Sequence, residues 1–292
     1  MKPPPFEYFA PASVKETLDL LREHGDQAKL LAGGQSLVPM LNFRLVRPGA
    51  LIDLNGVPGL DGIREEPGML RIGAMTRQRA VERSAVVRER CPLLAEAMPQ
   101  IGHVQIRNRG TIGGSLVHAD PAAELPAVVA ALGGELIVRG AAGERTIAAA
   151  DFFVGYLTTA VAADELLVAV RLPVAPPRAG HAFVEVSRRH GDFALVGVAV
   201  TVTLDGSGVC TSAAIAVTGV GPAPVVAADA VAALVGQRPA TTAFEEAARR
   251  VSAQLEPHSD LHASAEYRKQ VGGVLTRRAL ALASERAAGA SR

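Results

Sequence analysis

The sequence predicts an α+β fold in which a mixed N-terminal part is followed by an antiparallel sheet and then by helices. The opening residues combine a helix-start signal with a strand-like run directly behind it, a β-α-β pattern. Beyond residue 180, three strand-like runs come in succession and three helical runs close the chain. The Pro-rich segment PVAPPRAG, residues 173–180, lies between the two patterns and has the composition of a linker.

The first helix is marked by a capping box. Ser13 and Glu16 form the pattern S-x-x-E ahead of apolar residues, so the serine hydroxyl can accept a hydrogen bond from the amide three residues on. Gly25 is a natural stop for this helix, because glycine adopts the conformation that ends helices without a steric penalty. The run AKLLA that follows predicts a strand.

Strands and helices alternate through the rest of the N-terminal part. GALIDL predicts a strand that ends at Asp53, and GMLRIGAMT predicts another, after which Thr76 caps a helix running to about Arg83. A further helix is predicted after Pro92. Three later runs predict a short buried helix in AELPAVVAAL, a hairpin in GELIVRGAAGERTI with its turn at Ala-Ala-Gly, and a closing strand in DELLVAVRLP.

The C-terminal part is predicted to hold three strands and three helices. The strand-like runs are HAFVEVSRR, ALVGVAVTVTL and VCTSAAIAVTGV, the last two joined by the turn DGSG. The helical runs span 225–235, 242–255 and 264–287. Short turns between neighbouring strands favour antiparallel pairing, so this part is expected to be one sheet covered by helices.

Composition narrows the class of protein. The chain has 292 residues with 30 basic and 29 acidic side chains, a balance that gives no reason to expect nucleic acid or an anionic membrane as a partner. Cys91 and Cys210 are its two cysteines, so a disulfide framework is unsupported and a cytoplasmic location is expected. The N-terminus does not resemble a signal peptide, and the most apolar region is interrupted by Gly, Pro and Asp229, which argues against a transmembrane segment.

Two Gly-Gly pairs, each beside a serine, are the main candidates for a ligand site. We call AGGQS, residues 32–36, the first glycine loop, and TIGGS, residues 111–115, the second glycine loop. Glycines let a ligand approach backbone N–H groups, and consecutive exposed amides bind anions. Two such loops could grip a diphosphate from two sides, whereas the alternative for each is an ordinary tight turn.

The absence of two sequence motifs excludes the commonest nucleotide-binding sites. No G-x-x-x-x-G-K-[ST] run occurs, and none of the four lysines follows a glycine-rich loop, which excludes a P-loop NTPase. The dinucleotide pattern G-x-G-x-x-G is also absent, because GVGPAP has prolines where the helix should start. A dinucleotide bound here would therefore need another kind of fold.

Side chains that could carry chemistry are few. The histidines are scattered without H-E-x-x-H, two isolated cysteines cannot hold an iron–sulfur cluster, and no G-x-S-x-G occurs, so we expect no metal and no catalytic residue. His118 and His190 could each act as a base or be ordinary loop residues. Glu124 could accept ribose hydroxyls, or it could be an acid favoured by a helix N-terminus.

Five segments in order resemble one known family. They are LLAGGQSLVPMLNFRLVRPGALIDL, IRNRGTIGGSLVHADPAAELP, DELLVAVRLP, SRRHGDFALVGVAV and DLHASAEYRKQVGGVLTRRAL, and they run from about residue 6 to about residue 280. This ordered set resembles the FAD-binding medium subunit of molybdenum hydroxylases, represented by aerobic carbon monoxide dehydrogenase, with the middle domain of xanthine dehydrogenase as a more distant relative. Each motif is weak by itself, whereas the ordered set is specific.

The resemblance implies a fold of the vanillyl-alcohol-oxidase (PCMH) type, made of two α+β subdomains with FAD between them. A C-terminal domain, a three-stranded antiparallel sheet with helices, would cover the flavin. We expect the first FAD-binding subdomain at residues 1–57, the second at residues 58–176 and the C-terminal domain at residues 177–292.

The resemblance also assigns cofactor contacts by position. It implies that the FAD diphosphate is held on one side by Ala32, Gly33, Gly34, Gln35, Ser36 and Leu37. It implies contacts on the other side from Thr111, Ile112, Gly113, Gly114 and Ser115. Glu124 takes the place of an acid that binds the adenosine ribose, and the further cofactor contacts are Ile101, Gly102, Leu167 and Phe193.

Two positions depart from relatives. Val184 stands where xanthine dehydrogenases carry a lysine near the flavin, and Phe193 stands where many carbon monoxide dehydrogenase-like subunits have a tyrosine beside it. The second change keeps an aromatic wall but removes a hydroxyl, so the flavin potential and access for the oxidant are left open.

The resemblance implies an electron-transfer subunit. A molybdopterin-containing large subunit would oxidise the substrate, two [2Fe–2S] clusters on a small subunit would pass electrons to the FAD of this chain, and an external acceptor would remove them. The expected assembly is a dimer of heterotrimers in the cytoplasm, possible also at the inner face of a membrane through the complex. The alternatives are a self-sufficient flavin oxidase or dehydrogenase of the same fold and a non-redox nucleotide-binding assembly protein.

Overall fold

The computed structural model describes residues 1–289; the last three residues of the predicted C-terminal domain, 290–292, lie outside the described residues. The N-terminal part contains β1 (Glu7–Phe9), α1 (Val14–His24), β2 (Ala28–Leu31), α2 (Leu37–Asn42), β3 (Ala50–Asp53), β4 (Ile63–Glu66), β5 (Met69–Gly73), α3 (Gln78–Arg83), α4 (Ala85–Arg90), α5 (Pro92–Ala97), α6 (Val104–Arg109), α7 (Ile112–His118), α8 (Glu124–Ala131), β6 (Glu135–Gly140), β7 (Gly143–Ala148), α9 (Ala149–Phe152), β8 (Phe153–Gly155), β9 (Thr158–Thr159) and β10 (Leu166–Pro173). The C-terminal part contains β11 (Ala179–Val186), β12 (Val196–Leu204), β13 (Cys210–Thr218), β14 (Val225–Val226), α10 (Ala228–Ala232), α11 (Thr241–Gln254) and α12 (Ala265–Gly289).

The described residues form three larger sheets and a two-stranded one, β8-β9. The first is parallel, in the order β1-β3-β2, and the second is antiparallel, in the order β4-β5-β10-β6-β7. The third, β11-β12-β13-β14, is antiparallel and begins at Ala179, at the end of the Pro-rich segment. This arrangement confirms the α+β prediction.

The first sheet forms as the sequence patterns predict. Ser13 caps α1 by accepting a hydrogen bond from the Glu16 amide at 3.1 Å. Glu16 accepts in turn from the amide of Ala12 at 2.8 Å, one residue earlier than a standard capping box would place the contact. Gly25 ends the helix with a φ of 50°, which lets the chain turn directly into β2.

The second sheet corrects one predicted cap and adds one helix. Thr76 does not cap a helix, because its hydroxyl accepts from the Gly62 amide at 2.9 Å and so joins two loops. The helix that ends at Arg83 begins at Gln78 instead, with Arg77 as its extended N-cap residue. Ser84 then caps α4, a helix that the sequence patterns did not indicate. The predicted hairpin is confirmed, with Gly140 opposite Gly143 across the turn.

The third sheet differs from the predicted one by a fourth strand. Residues 225–226 were expected to begin a helix, but Val225 and Val226 pair with β13 as the short strand β14. Both residues are β-branched, which favours an extended conformation, and the helix α10 starts only at Ala228. Helix α12 covers this sheet, and its buried face includes Leu275, Ala279, Leu280 and other small or apolar residues.

The two parts of the chain share a continuous core. Phe183, Ala199 and Ala216 of the third sheet belong to the same buried cluster as Leu70 and Ile72 of the second sheet. Polar contacts reinforce this junction, because the amide of Gly219 donates to the carbonyl of Pro121 at 2.8 Å. Among residues 1–289, no helix is both long and apolar enough to cross a membrane.

Gly180→Ala should destabilise the fold by about 2–3 kcal/mol, because added methyl groups at close contacts strain a packed core. A Cβ at Gly180 would lie 1.8 Å from the carbonyl oxygen of Ala283 on α12. Denaturant unfolding of the variant and the wild type measures the difference. Gly206→Ala is the matched control, because a Cβ there meets no atom within 4 Å; equal losses for both variants would contradict this account of the packing.

Candidate functional site

The two glycine loops lie against each other. A Cβ on Gly33 would lie 2.3 Å from the carbonyl oxygen of Arg109 and 2.7 Å from the Cα of Gly110, so the two backbones touch where a side chain would not fit. A Cβ on Gly114 would lie 3.3 Å from that of Ala32. The sequence places these loops almost eighty residues apart, and the fold brings them together as one surface.

Two polar side chains tie the loops together. Asn55, which follows β3, donates from Nδ2 to the carbonyl of Ala32 at 3.0 Å. Its Oδ1 accepts from Nη2 of Arg77 at 2.6 Å, and Nη1 of Arg77 donates to the carbonyl of Arg109. Sequence reasoning missed both residues, because neither belongs to a glycine motif and their pairing depends on the tertiary fold.

The first glycine loop presents free backbone donors. Within residues 1–289, the N–H groups of Gly33 to Ser36 have no hydrogen-bond acceptor. Gly34 has a φ of 74°, a conformation that turns successive amides toward one side and that glycine adopts without strain. Ser36 precedes α2, and Leu37 is the first residue of that helix. Consecutive free amides in such a turn form an anion-binding nest.

The second glycine loop differs from the expected nest. Thr111 is the N-cap residue of α7, and its hydroxyl accepts from the Gly114 amide at 3.0 Å. The amides of Ile112 and Gly113 donate to the carbonyls of Thr76 and Ala74, at 3.1 and 2.8 Å. This loop can therefore offer an anion its hydroxyl groups, including that of Ser115, and a side-chain-free approach, whereas the amides of residues 112–114 are already engaged.

Together the loops fit a diphosphate. One side supplies free N–H donors and the other supplies the hydroxyl of the partly exposed Ser115, with the Thr111 hydroxyl buried behind it. The space beside Gly33 and Gly113 is filled by the backbone of Arg109 and by Ala74, so these glycines permit close packing of the loops. Phosphate oxygens accept from both kinds of donor. A phosphate site at the two loops stays a prediction, and the donors of the second loop differ from those expected.

Glu124 is buried at the start of α8, where its residue is 4% exposed. Burial, the largest cause, and the nearby charge of Asp120 together raise the pKa of its carboxyl group to about 7. A second carboxyl, Glu185 on β11, has its pKa raised to about 8 by burial and by the charge of Glu124. Sequence reasoning missed Glu185, because it looked like an ordinary polar residue of a strand.

A buried ion pair holds the segment that contains Ile101 and Gly102. Arg107 donates from Nη1 to the carbonyls of both residues at 3.0 Å, and its Nε contacts Glu82 at 2.9 Å. The Arg107 hydrogen bond is the main reason why the pKa of Glu82 is lowered. Gly102 has a φ of 50°, so this segment turns sharply before α6.

The loop before β12 carries Phe193 and reaches this segment. A Cβ on Gly191 would lie 2.5 Å from Cε1 of His103, so the loop and the segment are in contact. Phe193 is 60% exposed and lines a cleft of about 510 Å³ between the two parts of the chain. Polar and aromatic residues on the cleft wall include Tyr156, Arg188, His258, His262 and Arg268.

Arg268 anchors three walls of this cleft. Its Nη1 donates to the carbonyls of Leu195 and Gly219, and its Nη2 contacts Asp260 at 2.7 Å. The cleft presents more histidine and arginine than the sequence alone suggested for this part of the chain, because residues more than sixty positions apart contribute to it.

The remaining predicted positions lie deeper. Leu167 is buried on β10, where the pairing with β6 shifts between Leu167 and Ala169, and it shares a core cluster with Ile101 and Ile112. Val184 packs against the core of the C-terminal part. The structure thus gathers the two glycine loops on one surface and puts Phe193 on a neighbouring cleft.

Two family models match the chain. The model described as FAD binding domain in molybdopterin dehydrogenase matches residues 4–175, and the model described as CO dehydrogenase flavoprotein C-terminal domain matches residues 181–283. Together they account for most of the chain and for both of its parts.

Curated relatives and solved structures agree with these models. The chain is 44% identical to the 6-hydroxypseudooxynicotine dehydrogenase complex subunit alpha of Paenarthrobacter nicotinovorans, over 98% of this chain and 97% of the relative. It is 40% identical to the carbon monoxide dehydrogenase medium chain of Hydrogenophaga pseudoflava, over 99% of this chain and 100% of the relative. A solved structure of carbon monoxide dehydrogenase from Hydrogenophaga pseudoflava, lacking the Mo-pyranopterin moiety, superposes with a TM-score of 0.96, at 42% identity over 98% of this chain and 99% of that one.

Gly33→Ala should separate the two glycine loops, because its Cβ would clash with the backbone of Arg109. We expect a loss of about 2–3 kcal/mol in stability and an FAD affinity lowered by at least about tenfold. Thermal unfolding and FAD titration measure the two effects. Gly155→Ala, where a Cβ meets nothing within 4 Å, should change neither; a Gly33→Ala protein with unaltered FAD affinity would contradict the role given to this contact.

Proposed function

The chain belongs to the family of FAD-binding medium subunits of molybdenum hydroxylases, and from this premise we propose that it is the electron-transfer subunit of such a complex. Electrons would reach it from [2Fe–2S] clusters on a small subunit and leave to an external acceptor. The observation that carries the proposal is the apposition of the two glycine loops within a chain of this family. When bound, FAD supplies the ability to accept single electrons and to release them singly or in pairs.

The task of the chain's own residues is to bind and orient the cofactor. The free amides of the first glycine loop and the hydroxyls of Thr111 and Ser115 would hold the diphosphate. The deprotonated carboxylate of Glu124 would accept hydrogen bonds from ribose hydroxyls, whereas the protonated carboxyl group would donate one. Ile101, Gly102, Leu167 and Phe193 would line the rest of the cofactor, and the contact between Gly191 and His103 keeps the loop of Phe193 in place.

The large cleft favours an external reaction partner beside Phe193. Its walls carry an aromatic ring, two histidines and an exposed arginine, a set that can hold a polar small molecule. In the proposed complex this molecule is the final acceptor. In the alternative, a self-sufficient flavin dehydrogenase, the same cleft would hold the organic substrate.

The first test is which cofactor and which subunits co-purify with the chain. Purified from its source, it should carry a yellow flavin spectrum and bring with it a molybdopterin subunit and an iron–sulfur protein with the plant-type pattern C-x4-C-x2-C. Reduction of its flavin by a small organic substrate, with the chain alone, would contradict the subunit proposal and favour the self-sufficient enzyme. The absence of a flavin spectrum after FAD is added would favour the non-redox alternative.

A surface next to the first glycine loop suits a partner subunit. Val38, Phe43 and Leu45 are 42%, 64% and 73% exposed, and they follow the loop along α2 and the turn after it. Residues 36–49 carry two arginines and no acidic residue. Exposed apolar side chains with basic neighbours are typical of an interface, and a cluster-bearing subunit here would sit beside the cofactor loop.

The double variant Phe43→Ser with Leu45→Ser should weaken association with the cluster-bearing subunit by at least about tenfold, because two apolar contacts are lost. Co-purification and titration of the two subunits measure the loss. Leu261→Ser, at a side chain that is 99% exposed elsewhere, is the control and should leave association unchanged. Unchanged association of the double variant would place the partner on another surface.

The assembly and location remain part of the same proposal. We expect a dimer of heterotrimers in the cytoplasm, with the oxidised substrate chosen on the large subunit rather than by this chain. The relatives act in complexes named for a nicotine-derived compound and for carbon monoxide, so family membership leaves the substrate open.

A further inference from the structure

A chain of side-chain hydrogen bonds leads from the first sheet to the two glycine loops. It begins on β1, where the Tyr8 hydroxyl donates to Oδ2 of Asp53 at 2.7 Å. Asp53 is the last residue of β3, and its Oδ1 accepts from the backbone amide of Asn55 at 2.9 Å and also from the side-chain Nδ2 of that residue. Asn55 is therefore held by its backbone and by its side chain.

Asn55 contacts the first glycine loop and Arg77 with the same side-chain amide. Its Nδ2 donates to the carbonyl of Ala32 at 3.0 Å, and its Oδ1 accepts from Nη2 of Arg77 at 2.6 Å. A side-chain amide carries both donors and an acceptor, whereas an ionised carboxylate only accepts. An asparagine at this position can therefore join a carbonyl group of the first loop to an arginine.

The guanidinium group of Arg77 completes the link to the segment before the second glycine loop. While Nη2 donates to Asn55, Nη1 donates to the carbonyl of Arg109. This carbonyl oxygen is the atom that a Cβ on Gly33 would meet first, so it lies against the first loop. The guanidinium is planar and rigid, and its two nitrogens therefore set the distance between their two partners.

The backbone on either side of Arg77 pairs with the second glycine loop. The carbonyl of Thr76 accepts from the amide of Ile112 at 3.1 Å, and the amide of Gln78 donates to the carbonyl of Gly110 at 2.9 Å. Gln78 is buried, and a Cβ on Gly110 would lie 2.6 Å from its Oε1. The backbone of Arg77 is thus fixed on the second loop, while its side chain extends to Asn55.

We propose that Arg77 is a further cofactor-positioning residue, which holds the two glycine loops at the spacing that the FAD diphosphate requires. It acts through Asn55 on the first loop and through the carbonyl of Arg109 beside the second. The inference rests on the proposed function, because it takes the loops to hold the diphosphate. The two side chains order the loops before FAD arrives, and a site that is already ordered binds its ligand more tightly.

Arg77→Lys tests the guanidinium in the flavin-containing complex that carries the full chain. Lysine keeps the positive charge, but its single ammonium group does not reproduce the planar fork. We expect the dissociation constant of FAD to rise at least about fivefold. A wild-type dissociation constant in Arg77→Lys would overturn the proposal, because the charge alone would then suffice.

Arg249→Lys is the matched control. Arg249 also uses two nitrogens of its guanidinium, which donate to the Glu246 carboxylate at 2.9 and 2.8 Å, and it lies on α11 in the C-terminal part. The same substitution there should leave the dissociation constant of FAD at the wild-type value. An equal loss of FAD affinity in both variants would overturn the specific role of Arg77.

A double-mutant cycle tests whether Asn55 and Arg77 act as one unit. Asn55→Ala should also raise the dissociation constant of FAD at least about fivefold. The double variant should bind FAD at most about twofold more weakly than the weaker single variant, because either substitution already breaks the link. Losses that multiply would show independent effects and would overturn the proposal. Asn55 is exposed, so Asn55→Ala tests the link by itself if Arg77→Lys does not fold.

The properties of the bound flavin distinguish positioning from general damage. The link lies at the loops predicted to hold the diphosphate, whereas Ile101 and Phe193 are among the positions predicted to line the rest of the cofactor. At saturating FAD, the visible spectrum and the midpoint potential of the flavin in Arg77→Lys and Asn55→Ala should therefore equal those of the wild type. A shifted potential together with weaker binding would mean that the whole site is disturbed, and would overturn the positioning role.

The outcomes separate this inference from the proposed function. A wild-type complex that contains no FAD contradicts the proposed function and, with it, the inference. A wild-type complex that retains FAD, with equal affinity in Arg77→Lys and Asn55→Ala, overturns the positioning role alone. Weaker FAD binding in these two variants, with an unchanged flavin potential and an unaffected Arg249→Lys control, supports both.

Discussion

The structure depends on one close approach between two backbones. Gly33 lies so near Arg109 and Gly110 that a methyl group on its Cα would overlap the backbone of those two residues. This contact fixes the distance between the first sheet and the helices of the second sheet, and Asn55 and Arg77 hold it in register. In the proposed site, the free amides of one loop and the hydroxyls of the other would converge on a diphosphate, which requires the two backbone segments to lie this close.

Most elements could be predicted from the sequence, because local patterns determine them. The capping box of α1, the hairpin around Gly140 and the long α12 each have a signal within a few residues. Val225 and Val226 were placed wrongly in a helix, because their apolar neighbours resemble one, whereas pairing with β13 decides their conformation. Thr76 was misassigned for a similar reason, since its partner is Gly62 and not the following helix.

The parts of the candidate site that contain Gly-Gly pairs could be predicted from the sequence, whereas the parts formed by tertiary contacts could not. Both glycine loops carry their own signal, but the engaged amides of the second loop depend on carbonyls of Ala74 and Thr76, which no motif indicates. The raised pKa of Glu185 depends on its burial and on the charge of Glu124, which its strand-like run does not reveal. FAD follows from membership of the family. That one loop offers N–H donors and the other offers hydroxyl donors follows from the structure.

Arg268 has a consequence for motion. One buried guanidinium holds the end of the Phe193 loop, the turn after β13 and the segment before α12, through Leu195, Gly219 and Asp260. These three segments must therefore open together, and their amides should exchange with solvent as one cooperative unit. We therefore expect a molecule to enter the cleft beside Phe193 between walls that Arg268 holds in place.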